Sequence, residues 1–125
     1  MRVDRANVIK EELTERDYRF LAVYVEATNS CLVLLSERED KLGTMAIAVP
    51  RPRDMVGPVS SSILVGDKNA ISARMFAEYI AGKKGKIAVV SVYLDKLTEV
   101  QAQAYFMRLI EKVLRSETSK TAEKI

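Results

Sequence analysis

Apolar and polar positions divide the chain into a strand-rich first part and a mixed second part. From Asn7 to about Ser62, short apolar runs alternate with turn signals, a pattern typical of strands. Asn29 and Ser30 form a short turn, which predicts a hairpin between the flanking runs and an antiparallel meander of the first four strands. The predicted strands are Asn7–Thr14, Tyr18–Ala27, Cys31–Glu37, Thr44–Pro50 and Ser61–Val65.

The pattern then changes to a helical period. Asp67 or Asn69 can cap the start of a first helix, and Gly82 can end it. Its predicted apolar stripe consists of Ile71, Met75, Phe76, Tyr79 and Ile80.

A nearly uninterrupted apolar strand, Lys86–Leu94, precedes a second helix that opens with a capping box of Thr98 and Gln101. We expect the polar chain to fray from Ser116 onward. The predicted stripe of this helix consists of Val100, Ala104, Met107, Ile110 or Glu111, and Leu114.

The resulting order is β-β-β-β-β-α-β-α, which predicts one α+β domain over residues 1–125. Its core should span about residues 5–115, with a polar C-terminal tail over 116–125. We expect a mainly antiparallel sheet of five to six strands with both helices on one face.

The strands are apolar on both faces, as in "FLAVYV", "CLVLL" and "IAVVSVYL". Two helices can cover only one face of such a sheet, so the second face is predicted to pack against another subunit. The partner would be a copy or a related chain, in a dimer or a higher oligomer. The alternative is that curvature and long side chains such as Arg19 hide that face.

The chain contains no histidine, which removes Ser-His and Cys-His nucleophile pairs and most zinc sites. The lone Cys31, within "CLVLL", is interpreted as a buried, inert thiol. The carboxylate pairs Glu37 with Glu39 and Glu11 with Glu12 lie in charged runs, which we interpret as solvated faces. We therefore predict no enzymatic activity, no cofactor and no metal.

Charge and targeting signals narrow the class of protein further. The net charge is +3 with a pI near 9.0, but both signs are interspersed, so nucleic acid is not the favoured partner. Neither a signal peptide nor an apolar run long enough for a membrane span is visible, which makes the cytoplasm the expected compartment. Many Glu, Lys and Arg with few Asn and Gln would suit a thermophile.

Three stretches carry a resemblance to a known family: "CLVLLSEREDKLGTMAIAV", "SSILVGDKNAISARMFAEYI" and "KIAVVSVYLDKLTEVQAQAYFMRLIEKVL". Together they resemble the proteasome assembly chaperones, specifically an archaeal-like form of their third-and-fourth-member group, and the likeness spans about Tyr18 to Leu114. The motif residues lie in two turns and are Lys41, Gly43, Thr44, Gly66 and Asp67.

This resemblance implies a non-enzymatic chaperone that forms a homodimer or a heterodimer with a related chain. It would hold proteasome α-type subunits during assembly of their ring. The loop after the "KxGT" strand would be a subunit contact, and here it is the proline loop, residues 48–61.

The proline loop holds all three prolines of the chain. Arg51, Arg53 and Asp54 would offer charge to a partner, with Met55 and Val56 as an apolar anchor. The alternative is that these residues only keep an exposed crossing soluble and stiff.

Two other classes of function stay open from the residues. One is a small dimeric scaffold of the roadblock or longin type, although those folds order their helices differently. The other is a nucleic-acid accessory protein that uses Arg51, Arg53 and the basic run Lys83 to Lys86.

Overall fold

The computed structural model describes residues 5–51 and 59–123, with side chains up to Glu117. Over these residues the predicted order of elements is confirmed. The elements are β1 (Asn7–Glu15), β2 (Tyr18–Glu26), β3 (Ser30–Glu37), β4 (Thr44–Val49), β5 (Ser60–Val65), α1 (Ala70–Lys84), β6 (Ile87–Tyr93) and α2 (Glu99–Glu123).

The six strands form one sheet in the order β1-β2-β3-β6-β4-β5. The predicted meander is right for β1, β2 and β3 but wrong for β4, because β6 lies between β3 and β4. β6 is parallel to β3, and all other pairs of described strands are antiparallel. The nearly uninterrupted apolar strand β6 thus takes a central position, where both of its edges are paired.

Both helices lie on one face of this mainly antiparallel sheet, as predicted. α1 packs on β4, β5 and β6, and α2 packs on β1 and β2. Three aromatic rings join the two halves of this layer: Phe20 meets Phe106 edge to face at 5.5 Å, and Phe76 meets Phe106 at 6.2 Å. Such rings stabilise a core beyond the area that they bury.

α1 meets the sheet through alanine. Ala73, Ala77 and Ala81 are fully buried, and so are the alanines that β4 and β6 present to the helix layer. The predicted stripe is wrong at Ile71, whose side chain is 78% exposed. Small side chains on both surfaces let the helix approach the strands closely, and a pattern based on large apolar residues misses such a face.

Both predicted ends of α1 are also corrected. Asn69 holds the N-cap position but makes no side-chain cap, since its backbone is left-handed with φ 66°. Glu99 from the start of α2 accepts the Ser72 N–H instead, at 2.9 Å. The helix runs through Gly82 and ends at Gly85, whose N–H donates to the Ala81 carbonyl with φ 65°.

α2 begins with the predicted capping box. The Thr98 N–H donates to Gln101 Oε1 at 3.0 Å, and the Gln101 N–H donates back to Thr98 Oγ1 at 3.4 Å. The predicted stripe is wrong at Val100, which is 85% exposed, and at Ala104, which is also exposed. The buried side consists of Ala102, Phe106, Leu109, Ile110 and Val113.

The helix also does not fray at Ser116. It continues to Glu123, and Glu117 is buried where it meets Lys84 of α1. Lys84 Nζ lies 2.8 Å from Glu117 Oε2 and 2.9 Å from Glu26 Oε1, so one ammonium joins both helices to the end of β2. At this polar end of α2, an ion pair in place of apolar contacts holds the helix against α1.

Tyr24 and Cys31 complete this polar cluster under the helices. Tyr24 Oη donates to Glu26 Oε1 at 2.7 Å and lies 3.2 Å from Cys31 Sγ. Burial raises the pKa of both the Tyr24 phenol and the Cys31 thiol, so both stay neutral near pH 7. This agrees with the interpretation of Cys31 as a buried thiol.

The Glu26 carboxylate stays ionised in this cluster. Burial alone raises its pKa, but hydrogen bonds, those from Lys84 and Tyr24 among them, outweigh burial and lower the pKa to about 2. For Lys84, burial lowers the pKa, and the hydrogen bonds to the two carboxylates raise it above its usual value. Glu26 and Lys84 are therefore both charged in the folded state at neutral pH.

Because the pKa of Glu26 is lower in the folded than in the unfolded chain, its ionised carboxylate stabilises the folded state. This contribution to the free energy of unfolding should be complete above about pH 4.5. It should be lost as the pH falls from there towards 2. We expect Glu26→Gln to lower the free energy of unfolding at pH 7 by on the order of 2 kcal/mol and to flatten its dependence on pH in this range. Urea denaturation at several pH values measures both effects.

Glu12→Gln is the matched control, because Glu12 forms an exposed ion pair with Arg19. Such a pair contributes about 0–1 kcal/mol, so this variant should keep the acid slope of the parent chain. An unchanged slope in Glu26→Gln would contradict the assignment.

Candidate interaction surface

The face of the sheet opposite the helices is largely apolar, and none of the described elements covers it. We call it the open face. Its apolar residues alternate along the strands with those of the core, and the strand register aligns them across the sheet. They are Val8, Leu21, Val23, Val25, Leu32, Leu34, Met45, Ile47, Val49, Ile87 and Val89.

One row of the open face crosses five strands without a polar residue. Val8 pairs with Val25, Val25 with Leu32, Leu32 with Val89, and Val89 with Ile47. Leu32, on the central β3, is 45% exposed. An apolar row that crosses five strands is typical of a surface that packs against another protein.

Arg19 does not cover this row. Its guanidinium lies 2.7 Å from Glu12 Oε2 at one corner of the open face, six residues along β2 from Val25. Both side chains of this pair are more than half exposed. The alternative in which long side chains hide the open face therefore has no support from Arg19.

The first motif turn connects β3 to β4 and is held by hydrogen bonds to two serines. Ser36 and Ser91 are fully buried although they lie in apolar strands, because both hold this turn. Ser36 Oγ donates to the Lys41 carbonyl and accepts the Lys41 N–H, both at 3.1 Å, and Ser91 Oγ accepts the Gly43 N–H at 2.8 Å. Lys41 Nζ lies 5.1 Å from the centre of the Tyr93 ring.

The two motif turns meet in space. A Cβ on Gly43 would lie 2.1 Å from the Val92 carbonyl oxygen, so no side chain fits there. Thr44 Oγ1 donates to the Lys68 carbonyl in the turn before α1. Gly66, with φ 87°, would place a Cβ 2.7 Å from Thr44 Oγ1, and Asp67 lies exposed beside it.

The motif residues are thus architectural. They fix the start of β4 against β6 and against the turn that leads into α1. Close backbone contact explains the two glycines, and a buried hydrogen bond explains the threonine.

The interpretation of Glu37 as part of a solvated charge run with Glu39 is wrong, because the Glu37 side chain is buried. Glu37 Oε1 accepts the backbone N–H groups of Asp95, Lys96 and Leu97 at 3.0–3.1 Å. The carboxylate therefore binds the connection between β6 and α2 to the end of β3 and has a structural role.

The proline loop joins two strands that pair with each other, β4 and β5. Arg51 is exposed directly after β4. Arg53, Asp54, Met55 and Val56 lie outside the described residues. The described ends of the loop are residues 48–51, which continue from β4, and residues 59–61, which lead into β5.

Among residues 5–51 and 59–123, no three acidic or cysteine side chains are grouped closely enough to bind a metal ion. Neither described helix has the combination of length and hydrophobicity that a bilayer crossing requires.

Comparison with known proteins gives a likeness of fold. No protein-family model matches the chain, and no curated protein matches it. The chain is similar to a solved structure described as a novel chaperone complex for yeast 20S proteasome assembly, with a TM-score of 0.70 and 14% identity. The match covers 90% of this chain and 97% of the other. At this identity the likeness shows a shared fold over nearly the whole of both chains.

The glycine contacts give a paired prediction. Gly43→Ala should lower the free energy of unfolding by about 2 kcal/mol or more, because the new Cβ would collide with the β6 backbone. Gly82→Ala should raise it by roughly 0.5–1 kcal/mol, because Gly82 lies inside α1 with space around it. Urea denaturation of both variants measures this difference in sign. Equal effects would refute the close approach of Gly43 to β6.

Proposed function

We propose that this chain is a non-enzymatic, proteasome assembly chaperone-like protein of the cytoplasm. It dimerises through the open face and binds proteasome α-type subunits during ring assembly. The observation that carries the proposal is the fold shared with a proteasome assembly chaperone complex, together with the uncovered apolar face. The resemblance in sequence, carried by three stretches between about Tyr18 and Leu114, supports the same proposal.

The proposed dimer packs two open faces sheet to sheet. Interdigitating aliphatic side chains would form a second core of the kind found between the layers of a sandwich. The partner is a second copy or a related chain with a similar face. Burial of Leu32 and its neighbours in the row would supply the hydrophobic stabilisation that the helices give to the opposite face.

The proposed subunit contact is the proline loop. It leaves β4 after Val49, at the end of the open face, and so would project from the rim of the dimer. Arg51, Arg53 and Asp54 supply charge there, and Met55 and Val56 supply an apolar anchor. Arginine suits such a contact because its planar fork pairs with carboxylates through two bonds.

The dimer predicts a specific effect of charge on the open face. Sedimentation equilibrium at micromolar concentration should show a dimer for the parent chain. Leu32→Glu should weaken dimerisation by about 100-fold or more, because a carboxylate would be buried without a partner. Val100→Glu is the control, since Val100 is equally apolar but lies on α2, away from the open face.

A parent chain that sediments as a monomer would refute self-association. Co-sedimentation with a related chain from the same source would then test the heterodimer. A dimer unaffected by Leu32→Glu would place the interface elsewhere.

The subunit contact is tested by pull-down with purified proteasome α subunits. The parent chain should retain them, and the double variant Arg51→Glu, Arg53→Glu should lose most of this binding while keeping its thermal stability and its dimer. Absence of retention by the parent chain, without an effect on ring assembly, would refute the chaperone function and leave the fold intact. A large loss of stability in the double variant would show that the loop is structural.

A further inference from the structure

The two edges of the sheet differ in how they are protected. β1 carries Lys10, Glu11, Glu12 and Glu15, and Lys112 from α2 donates to the Glu12 carbonyl at 3.1 Å. Charges and a covering helix are common means by which proteins block the edge of a sheet. The β1 edge is therefore closed to another strand.

β5 has neither protection in the part of the chain that the structure describes. Its sequence, Ser60–Val65, contains no charged residue, and it pairs on one side only, with β4. Leu64 and Val65 at its end are more than half exposed. An uncharged edge of this kind can accept an added strand through backbone hydrogen bonds.

A groove of about 660 Å³ runs between this edge and α1. Its lining is mostly apolar and comes from Val59 and Ile63 on the β5 side and from Ile71, Met75 and Tyr79 on α1. Ile71, which does not contribute to the core, thus forms one wall of the groove. The volume is in the range of sites that bind small ligands or a few side chains.

The charge along the groove is positive on balance. Arg74 donates through Nε to Ser61 Oγ at 3.1 Å, and that hydroxyl donates to Glu78 at 2.8 Å. Lys83 lies next to the lining, with Nζ 5.8 Å from the centre of the ring of Tyr79, which is part of it. Two cations and one hydrogen-bonded carboxylate favour an acidic occupant.

A second copy of this chain does not fit the groove through its own β5. On that strand, Ser61 and Ile63 already point at α1 of their own chain, where Ser61 binds Glu78 and Ile63 packs on the core. A copy paired at this edge would have no side chains left to fill the groove. An extended segment without a helix of its own has side chains that are free to fill the groove.

We propose that the groove between β5 and α1 binds an extended, acidic segment of another protein as a seventh strand, with alternate apolar side chains inserted beside Ile71 and Met75. Backbone hydrogen bonds to β5 supply affinity, and the apolar lining selects the side chains. The inference goes beyond the proposed dimer, because the groove lies on the helix side of the sheet and leaves the open face unused.

The test uses the full chain and a fluorescent nine-residue peptide in which valine and threonine alternate, flanked by glutamates. Fluorescence anisotropy should show saturable binding, and replacing the glutamates by lysines should weaken it by about tenfold or more. Ile71→Glu should weaken binding by about tenfold, and Val100→Glu, a change at an equally exposed position outside the groove, should not alter it. Hydrogen exchange should slow over residues 60–65.

Two N-methylated peptides test the added strand directly. One carries methyl groups on the valine amides and the other on the threonine amides, and only one of these sets can point at β5. One peptide should lose binding and the other should keep it. Equal binding of both, protection of the open-face strands in place of β5, or no binding at all would overturn the proposal. Binding only after residues 52–58 are replaced by a glycine-serine linker would also overturn it, since the chain would then fill its own groove.

Discussion

β6 is the strand on which the rest of the described sheet depends, because it joins two units that share no other strand pairing. β1, β2 and β3 form one antiparallel unit, and β4 and β5 form another. β6 pairs with β3 on one side and with β4 on the other. β3 and β4 precede α1 in the chain and β6 follows it, so both pairings of β6 join residues that are far apart in sequence.

Polar contacts around β6 hold this central strand in register. Ser91 binds the Gly43 N–H, and Glu37 binds the backbone that follows β6. Each contact places a buried polar group against partners on another element, so a shift of β6 by one residue would leave it unsatisfied. The same shift would move the fully buried Val90 out of the core and bring Val89 in from the open face. Register and the two-faced character of the sheet therefore depend on one another.

The sequence predicted the elements and the uncovered face well, because strand boundaries follow from apolar runs and turn residues. It did not predict the position of β6, since strand order depends on pairings between residues far apart in the chain. The buried side of α1 was predicted correctly at Phe76 and Ile80, but Ala73 and Ala77 were missed because they carry little hydrophobic weight, although their size is what lets the helix approach. Glu37 was misread because a buried carboxylate and a solvated one look alike in a charged run. The residues proposed for subunit binding, apart from Arg51, lie outside the described chain and stay a prediction.

The motif turns are the part of the sequence that close packing constrains most tightly. Gly43 and Gly66 are required by close contact with backbone and with Thr44, where another residue would collide. The aliphatic residues of the open face have no such constraint, because valine, leucine and isoleucine can replace one another on a flat interface with little cost. In this chain the turns that position β4 and β6 are therefore constrained more tightly than the aliphatic open face. It follows that the turns indicate the fold, and that the partner has to be inferred from the uncovered face and the free edge.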